Sequence, residues 1–393
     1  MKPGLSDRKA RNGILLPLSQ TFLLRLLSVI TQSVVPVYLV DYLGYTTRSI
    51  GVPIALIWVG NAVGALLAFY VLRRVVFNNM LGFLLISLSF LGFGSGSANH
   101  NLVPLLVFTG GVGSGCVQPL LIPIVHMWSL NGRRYSGVGL YSVALSLGLI
   151  MGPFVASFAD SSTNYSTLYL ALSLLAAAFF VLSGLFRGEG IISSVPKNTS
   201  SSFRRTLSNR AFIREFTLNF LYSLTLPVVL SYTTVIGESD YGVSTSLMYR
   251  LMTLMFLISL LLRIVATSSK SERFERKMLF PAAILPISIS ALAFHVNPLV
   301  YATGLVLFSI PHAFVYPWSL FNTLQSSKPD SLPAVSYLFS LSSGAAETAS
   351  PPVASYFVGI FGGSAAFYAA LPFGIAAAVW AAVNYKGTKG ESG

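Results

Sequence analysis

The sequence predicts an all-α membrane protein with twelve transmembrane helices in two pseudo-symmetric bundles of six. Three observations carry that prediction. The 393 residues are 54% hydrophobic and only 9% charged, whereas ordinary soluble domains are about one quarter charged. The apolar residues fall into helix-length runs separated by short polar gaps. The basic residues collect in alternate gaps, which is the pattern that membrane topology imposes.

Taking about 20 apolar residues per crossing, the runs lie near 14–40, 50–72, 79–98, 102–127, 137–159, 165–186, 213–236, 243–267, 278–296, 299–323, 333–360 and 364–384. The third and fourth are joined by a very short turn, as are the ninth and tenth. Of the 25 lysines and arginines, 22 fall on one side, Arg263 counted among them, leaving Arg25, Arg48 and Arg250. An even number of spans puts both termini on that side, read as cytoplasmic. The basic opening segment is followed by an apolar run too long for a signal h-region, so it is read as a retained first span. The net charge of +13 is accounted for by this topology and calls for no nucleic acid. Cys116 is the single cysteine, so no disulfide forms within the chain.

The longest polar gap, 188–211, is rich in Ser, Gly and basic residues and reads as a cytoplasmic linker between an N-terminal bundle (1–187) and a C-terminal bundle (212–393). Two echoes relate the halves. GPFVASF at Gly152–Phe158 recurs as SPPVASY at Ser350–Tyr356, and VQPLL at Val117–Leu121 as VYPWS at Val315–Ser319. Pro153 and Pro351 are 198 positions apart, and so are Pro119 and Pro317. Two matches at one offset argue for a duplicated unit, the parallel-repeat design of membrane transporters.

The stretch 137–158 spaces small residues at Gly139, Gly148 and Gly152, followed by Pro153 and the pair Ala156-Ser157. In hydrocarbon such residues let a neighbouring backbone approach closely. This spacing resembles the fifth-helix signature of the major facilitator superfamily, G-x(8)-G-x(3)-G-P-x(2)-G-G, with Ala156-Ser157 replacing the final pair. The six-plus-six plan with a basic central loop resembles the same superfamily over the whole chain. Its loop signature after the second helix is only partly present. Gly64, Arg73 and Arg74 are kept, but Ala68, Phe69 and Val71 replace the aspartate, a basic residue and a glycine. The resemblance implies that spans 1, 4, 7 and 10 line a central cavity, flanked by 2, 5, 8 and 11. The fifth-helix signature further implies a proton-driven exporter.

A charge at membrane depth costs about 3 kcal/mol or more, so it is read first as functional. Arg25 lies mid-span, and Thr21, Arg25, Ser28 and Gln32 share one helical face. Glu347 lies mid-span on a face with Ser336, Ser340, Ser343 and Ser350, followed by Pro351-Pro352, where the helix loses amide donors. Burial would disfavour its charge and a nearby arginine would favour it. A carboxylate balanced between the two suits proton carriage; the alternative is a permanent salt bridge to Arg25 or Arg250. His312 is central in the tenth span, on a face with Ser309, Tyr316 and Ser319, and can titrate near physiological pH. Arg250 lies one to two turns inside the eighth span, where snorkelling is the competing reading. Gln118, Asn61 with Trp58, and Asn219 with Tyr222 are weaker candidates.

These residues predict a secondary transporter. Substrate would meet Arg25, Gln32, Gln118, Arg250, His312 and Tyr316, and protons would be carried by Glu347 and His312. The arginines favour a solute with an anionic or polar oxygen group. Packing and gating are assigned to Gly139, Gly148, Gly152, Pro153, Pro351, Arg73 and Arg74. The expected partners are a small-molecule substrate, protons and the lipid bilayer, and the expected state is a monomer in the plasma membrane. Uptake, facilitated diffusion, or flipping of lipid or lipid-linked sugar on the same fold are the alternatives. The chain has no metal-binding His-Glu-x-x-His, nucleophile elbow or phosphate-binding glycine loop, and four histidines with one cysteine offer no metal cluster. Neither enzyme activity nor a cofactor is therefore expected.

Overall fold

The computed structural model describes residues 5–68, 75–128, 134–159, 162–185, 204–268, 278–294, 296–327 and 332–385. Arg73, Arg74, the surroundings of Gly139 and most of the 188–211 linker lie outside the described residues. Among the described residues the helices are α1 (Leu5–Leu43), α2 (Gly51–Leu66), α3 (Val75–Gly94), α4 (Val103–Trp128), α5 (Arg134–Ala156), α6 (Ser162–Leu185), α7 (Arg210–Ser223), α8 (Leu226–Tyr241), α9 (Thr245–Ser268), α10 (Leu279–Ala293), α11 (Pro298–Gln325), α12 (Leu332–Phe361) and α13 (Ala365–Tyr385). Residues Arg210–Tyr241 are one segment long and apolar enough to cross a membrane, so α7 and α8 are its two halves and the helices of the described residues group into twelve segments. α9, α11 and α12 are thus the eighth, tenth and eleventh.

The predicted runs agree with these helices to within a few residues, except in two places. α1 begins nine residues before the expected start at 14. The seventh span, expected as one helix, is broken at Leu224-Thr225. Pro227 enters the first turn of α8 and has no amide to give the carbonyl of Ser223. At the break the Thr225 hydroxyl donates to the Tyr222 carbonyl at 2.7 Å.

The connecting turns carry local caps. Asn99 Oδ1 accepts from the amides of Asn101 and Leu102 at 3.0 and 3.1 Å. Asn297 caps α11 by accepting from Val300 N at 2.9 Å, with Pro298 in the first turn. α8 ends on Gly242 at φ +63°. Its amide reaches Glu238 O at 3.1 Å and that of Val243 reaches Gly237 O at 3.0 Å, a left-handed cap suited to glycine.

The chain divides into two compact units. One contains 1–31, 56–155 and 159–198; the other contains 32–55, 156–158 and 199–393. In the first, polar groups tie apolar helices together. Ser87 and Ser173 each donate to the other's carbonyl, at 2.9 and 2.8 Å. Gln20 donates to Ser183 at 3.0 Å and accepts from Asn79 at 3.2 Å. Glycine fits α2 to α4. A Cβ on Gly60 or Gly64 would strike the carbonyls of Phe108 or Val112, and one on Gly111 or Gly115 those of Ile57 or Asn61. Each helix thus supplies a pair of glycines four apart, the small-residue spacing that brings backbones into contact.

In the second unit a buried carboxylate joins three helices. Glu215 on α7 is fully buried. It accepts from Tyr385 on α13 at 2.7 Å, from Asn322 on α11 at 3.3 Å and from Arg214 at 3.1 Å. The Arg214 guanidinium also lies 4.8 Å from the centre of the Tyr385 ring. The ends of α1 and α2 that belong to this unit are held by hydroxyls. Tyr249 donates to Ser33 O at 3.4 Å, and Gly51 N donates to Ser355 Oγ, itself 2.7 Å from the Tyr232 hydroxyl.

Candidate functional site

The second unit gathers its chemistry where three helices lose regular hydrogen bonding. α7 ends just after Tyr222. α11 contains Pro311 and Pro317, and α12 contains Pro351 and Pro352. Each proline removes an amide and frees a carbonyl one turn earlier, which in hydrocarbon needs another donor.

Arg263 on α9 supplies that donor to α11. The missing amide of Pro317 leaves Ala313 O without its helical partner, and Arg263 Nε donates to it at 3.1 Å. Its Nη2 donates to the neighbouring His312 O at 2.7 Å. Only 7% of Arg263 is exposed. The segment so held carries the imidazole of His312, whose Nδ1 lies 2.6 Å from the Tyr222 hydroxyl. The Tyr222 ring stacks on Phe308 at 6.1 Å, and Phe256 meets the imidazole edge-on at 5.2 Å.

α12 completes the group. Asn219 Nδ2 donates to Ser343 Oγ at 2.8 Å and to Ser342 Oγ at 3.2 Å. Ser223 Oγ donates to Ser343 at 3.4 Å. One turn beyond Ser343, Glu347 is buried. Both Glu347 and Arg263 lie within electrostatic reach of the Tyr222 hydroxyl. A carboxylate, a guanidinium, an imidazole and a phenol therefore share one buried region. Such a group can hold a proton in more than one place and can present both donors and acceptors.

The first unit carries Arg25 on α1, which lies within electrostatic reach of the Tyr141 hydroxyl of α5. The glycines of α5 make this approach possible. A Cβ on Gly148 would strike Phe22 O and stand 2.9 Å from the Arg25 Cβ; one on Gly152 would strike the Val29 side chain. The glycine signature and the mid-span arginine are thus two sides of one helix contact.

The other expected residues are distributed as follows. Gln32 is buried in α1, within the second unit. Gln118 is half-buried on α4, and Arg250 is exposed on α9. Tyr316 packs against Phe339 of α12, ring centres 5.7 Å apart. Pro351 O accepts from Tyr232 at 3.2 Å.

Sequence reasoning missed Tyr141 and Arg263. Tyr141 lies seven residues before Gly148, on the glycine face. The sequence count uses Arg263 only as one of the cations of the cytoplasmic side, within the run 243–267; in the structure it is a buried member of α9. Its spacing of four from Ser259, on one helical face, was the available signal.

No curated protein matches the chain. Solved structures match it along nearly its whole length. One is a POT family transporter in complex with 5-aminolevulinic acid, 14% identical, covering 95% of each chain with a TM-score of 0.73. Another is the nucleoside transporter NupG, 12% identical over 96% of this chain and 100% of that one, with a TM-score of 0.73. A third is a D-xylose-proton symporter, 15% identical over 94% and 96%, with a TM-score of 0.68. At these identities the likeness is one of fold. A model of the Major Facilitator Superfamily matches residues 18–269. That is more than half of the sequence, and together with the twelve-helix fold it means that the chain belongs to the Major Facilitator Superfamily.

Proposed function

We propose that this transporter moves a small polar or anionic organic solute by alternating access, coupled to protons at Glu347 and His312. The observation that carries the reading is the buried contact between Tyr222 and His312 at 2.6 Å, with Arg263 and Glu347 in electrostatic reach of the same hydroxyl. Ionisable groups are costly in a bilayer, and a cluster of them at one depth serves either coupling or recognition. Arg25 and Arg250, with Gln32, Gln118 and Tyr316, are the proposed solute contacts. They favour oxygen-rich or anionic groups. The proposed halves are 1–187 and 212–393, joined by 188–211, acting as a monomer in the plasma membrane with both termini cytoplasmic.

Proton-driven export is the proposed direction. It is supported by the fifth-helix glycine spacing, through its association with exporters in the superfamily. The test is transport in proteoliposomes with an imposed pH gradient, screened across solute classes, with Glu347→Gln and Arg25→Ala beside the parent. A solute driven against the proton gradient in the parent, uncoupled by Glu347→Gln and weakened by Arg25→Ala, is the expected result. Movement with the proton gradient would reverse the direction to uptake. Unchanged pH dependence in Glu347→Gln would remove the coupling role.

A further inference from the structure

In the second unit the chain entering α7 carries a basic patch. From Arg204 to Arg214 there are four arginines and no acidic residue. Arg214 is taken up by Glu215. Arg204, Arg205 and Arg210 are exposed, and none of the three forms an ion pair among the described residues. Local bonds hold this stretch in place. Ser208 Oγ donates to Arg204 O at 2.9 Å, closing the turn before α7. Asn209 Oδ1 caps α7 by accepting from Ala211 N at 3.0 Å, while Asn209 Nδ2 donates to Ser326 O, at the end of α11, at 3.3 Å. Just inside α7, Phe212 is fully buried against Val335 and Leu338 of α12.

The depth of the patch follows from Trp380 on α13. It is half-buried, and its indole donates to Arg214 O at 3.0 Å. A tryptophan near the end of a span sits at headgroup level, and Arg210 lies one turn outward of Arg214, about 6 Å along the helix. Among the arginines Leu207 is 48% exposed. An exposed leucine beside basic side chains is the composition of a surface that lies against lipid.

We infer that this patch binds an anionic lipid headgroup, whose phosphate oxygens accept from Arg204, Arg205 and Arg210 while Leu207 meets the upper part of an acyl chain. Guanidinium suits phosphate because it offers paired, planar donors. A soluble phosphate compound would satisfy the arginines and leave Leu207 uncovered, so the lipid is favoured. The inference is independent of which solute the protein carries and of the side on which α7 begins.

The experiment uses the full-length protein in micelles doped with equal amounts of phosphatidylglycerol and phosphatidylcholine of the same acyl chains. Retained lipids are counted by native mass spectrometry. The parent should retain phosphatidylglycerol in excess. Each arginine of the patch replaced by glutamine should lower that excess by roughly fivefold, the equivalent of about 1 kcal/mol at an anionic surface. Arg204→Gln/Arg205→Gln/Arg210→Gln should abolish it, and Leu207→Ser should weaken it. Arg273→Gln/Arg276→Gln/Lys277→Gln removes the same number of charges from another basic stretch and should keep the excess. Equal loss in the two triple variants would mean a diffuse charge effect and overturn the inference, as would a parent without the excess. Displacement of phosphatidylglycerol by soluble glycerol phosphate would identify a free-anion site and overturn it too.

Discussion

Arg263 Nη2 lies 2.7 Å from the carbonyl oxygen of His312, so an arginine on one helix holds the backbone of the histidine on another. The Pro317 ring explains why, since it denies Ala313 O the amide that a regular helix would give, and Arg263 Nε takes its place at 3.1 Å. Arg263→Leu should lower the thermal midpoint, at a cost of about 1.5–3 kcal/mol for hydrogen bonds from a charged donor. Pro317→Ala restores the amide and should make the arginine less necessary. A double-mutant cycle by thermal unfolding should therefore give a coupling of roughly 0.5–3 kcal/mol, as for residues in direct contact. Strict additivity would show that the proline and the arginine are unrelated.

The Tyr222 hydroxyl and His312 Nδ1, 2.6 Å apart, should behave as one unit in transport. Tyr222→Phe keeps the ring that stacks on Phe308 and removes only the hydroxyl. Loss of one buried hydrogen bond of about 1.4 kcal/mol corresponds to roughly a tenfold change, so pH-gradient-driven transport should fall by about that factor. His312→Gln should lower it similarly, and the double variant should be little worse than either single one. Two independent losses that multiply would separate the residues.

Helix positions were legible because twenty apolar residues have few other places to go, and the predicted runs coincide closely with α2 to α6 and α9 to α13. Arg25, His312 and Glu347 were legible for a related reason, since an ionisable group inside such a run stands out against its cost. Arg263 was not, because counting cations by side records only which end of its span it lies toward. Its use depends on a carbonyl freed by Pro317, in a helix that the local sequence cannot place beside it. Glu215 was hidden in the same way: its partners Asn322 and Tyr385 come from two other helices. The spacing of Gly60 to Gly64 and of Gly111 to Gly115 was visible, but nothing local says that these two pairs face each other. The break at Thr225 was signalled by Pro227 and lost within an apolar run long enough to read as one helix.

Gly148 and Gly344 should respond oppositely to alanine. At Gly148 a Cβ meets Phe22 O and lies 2.9 Å from the Arg25 Cβ, all of it backbone or the root of a side chain. α5 must then move away from α1, at about 1–3 kcal/mol for overpacking, and Tyr141 moves with it. At Gly344 nothing lies within 4 Å of the added carbon, and a helical glycine replaced by alanine gains up to about 1 kcal/mol. Thermal unfolding of Gly148→Ala and Gly344→Ala in one detergent checks both. A midpoint unchanged at Gly148 would mean that the α1 to α5 contact is looser than described.

Glu215 and Glu347 are both buried, yet the same amide substitution should reveal different roles. Glu215 accepts from Arg214, Asn322 and Tyr385 and so anchors α7 to α11 and α13. Glu215→Gln replaces one acceptor oxygen by a donor and weakens charge-assisted bonds, which are about twice as strong as neutral ones. A loss of about 1.5–3 kcal/mol in stability is expected, while the pH dependence of transport by the remaining folded protein is retained. Glu347 lies instead within electrostatic reach of the Tyr222 hydroxyl, and Glu347→Gln should leave the thermal midpoint nearly unchanged while flattening the pH dependence of transport. Measuring both quantities on both variants separates an anchor from a proton carrier. If Glu215→Gln flattens the pH profile and Glu347→Gln only lowers the midpoint, the two assignments are exchanged.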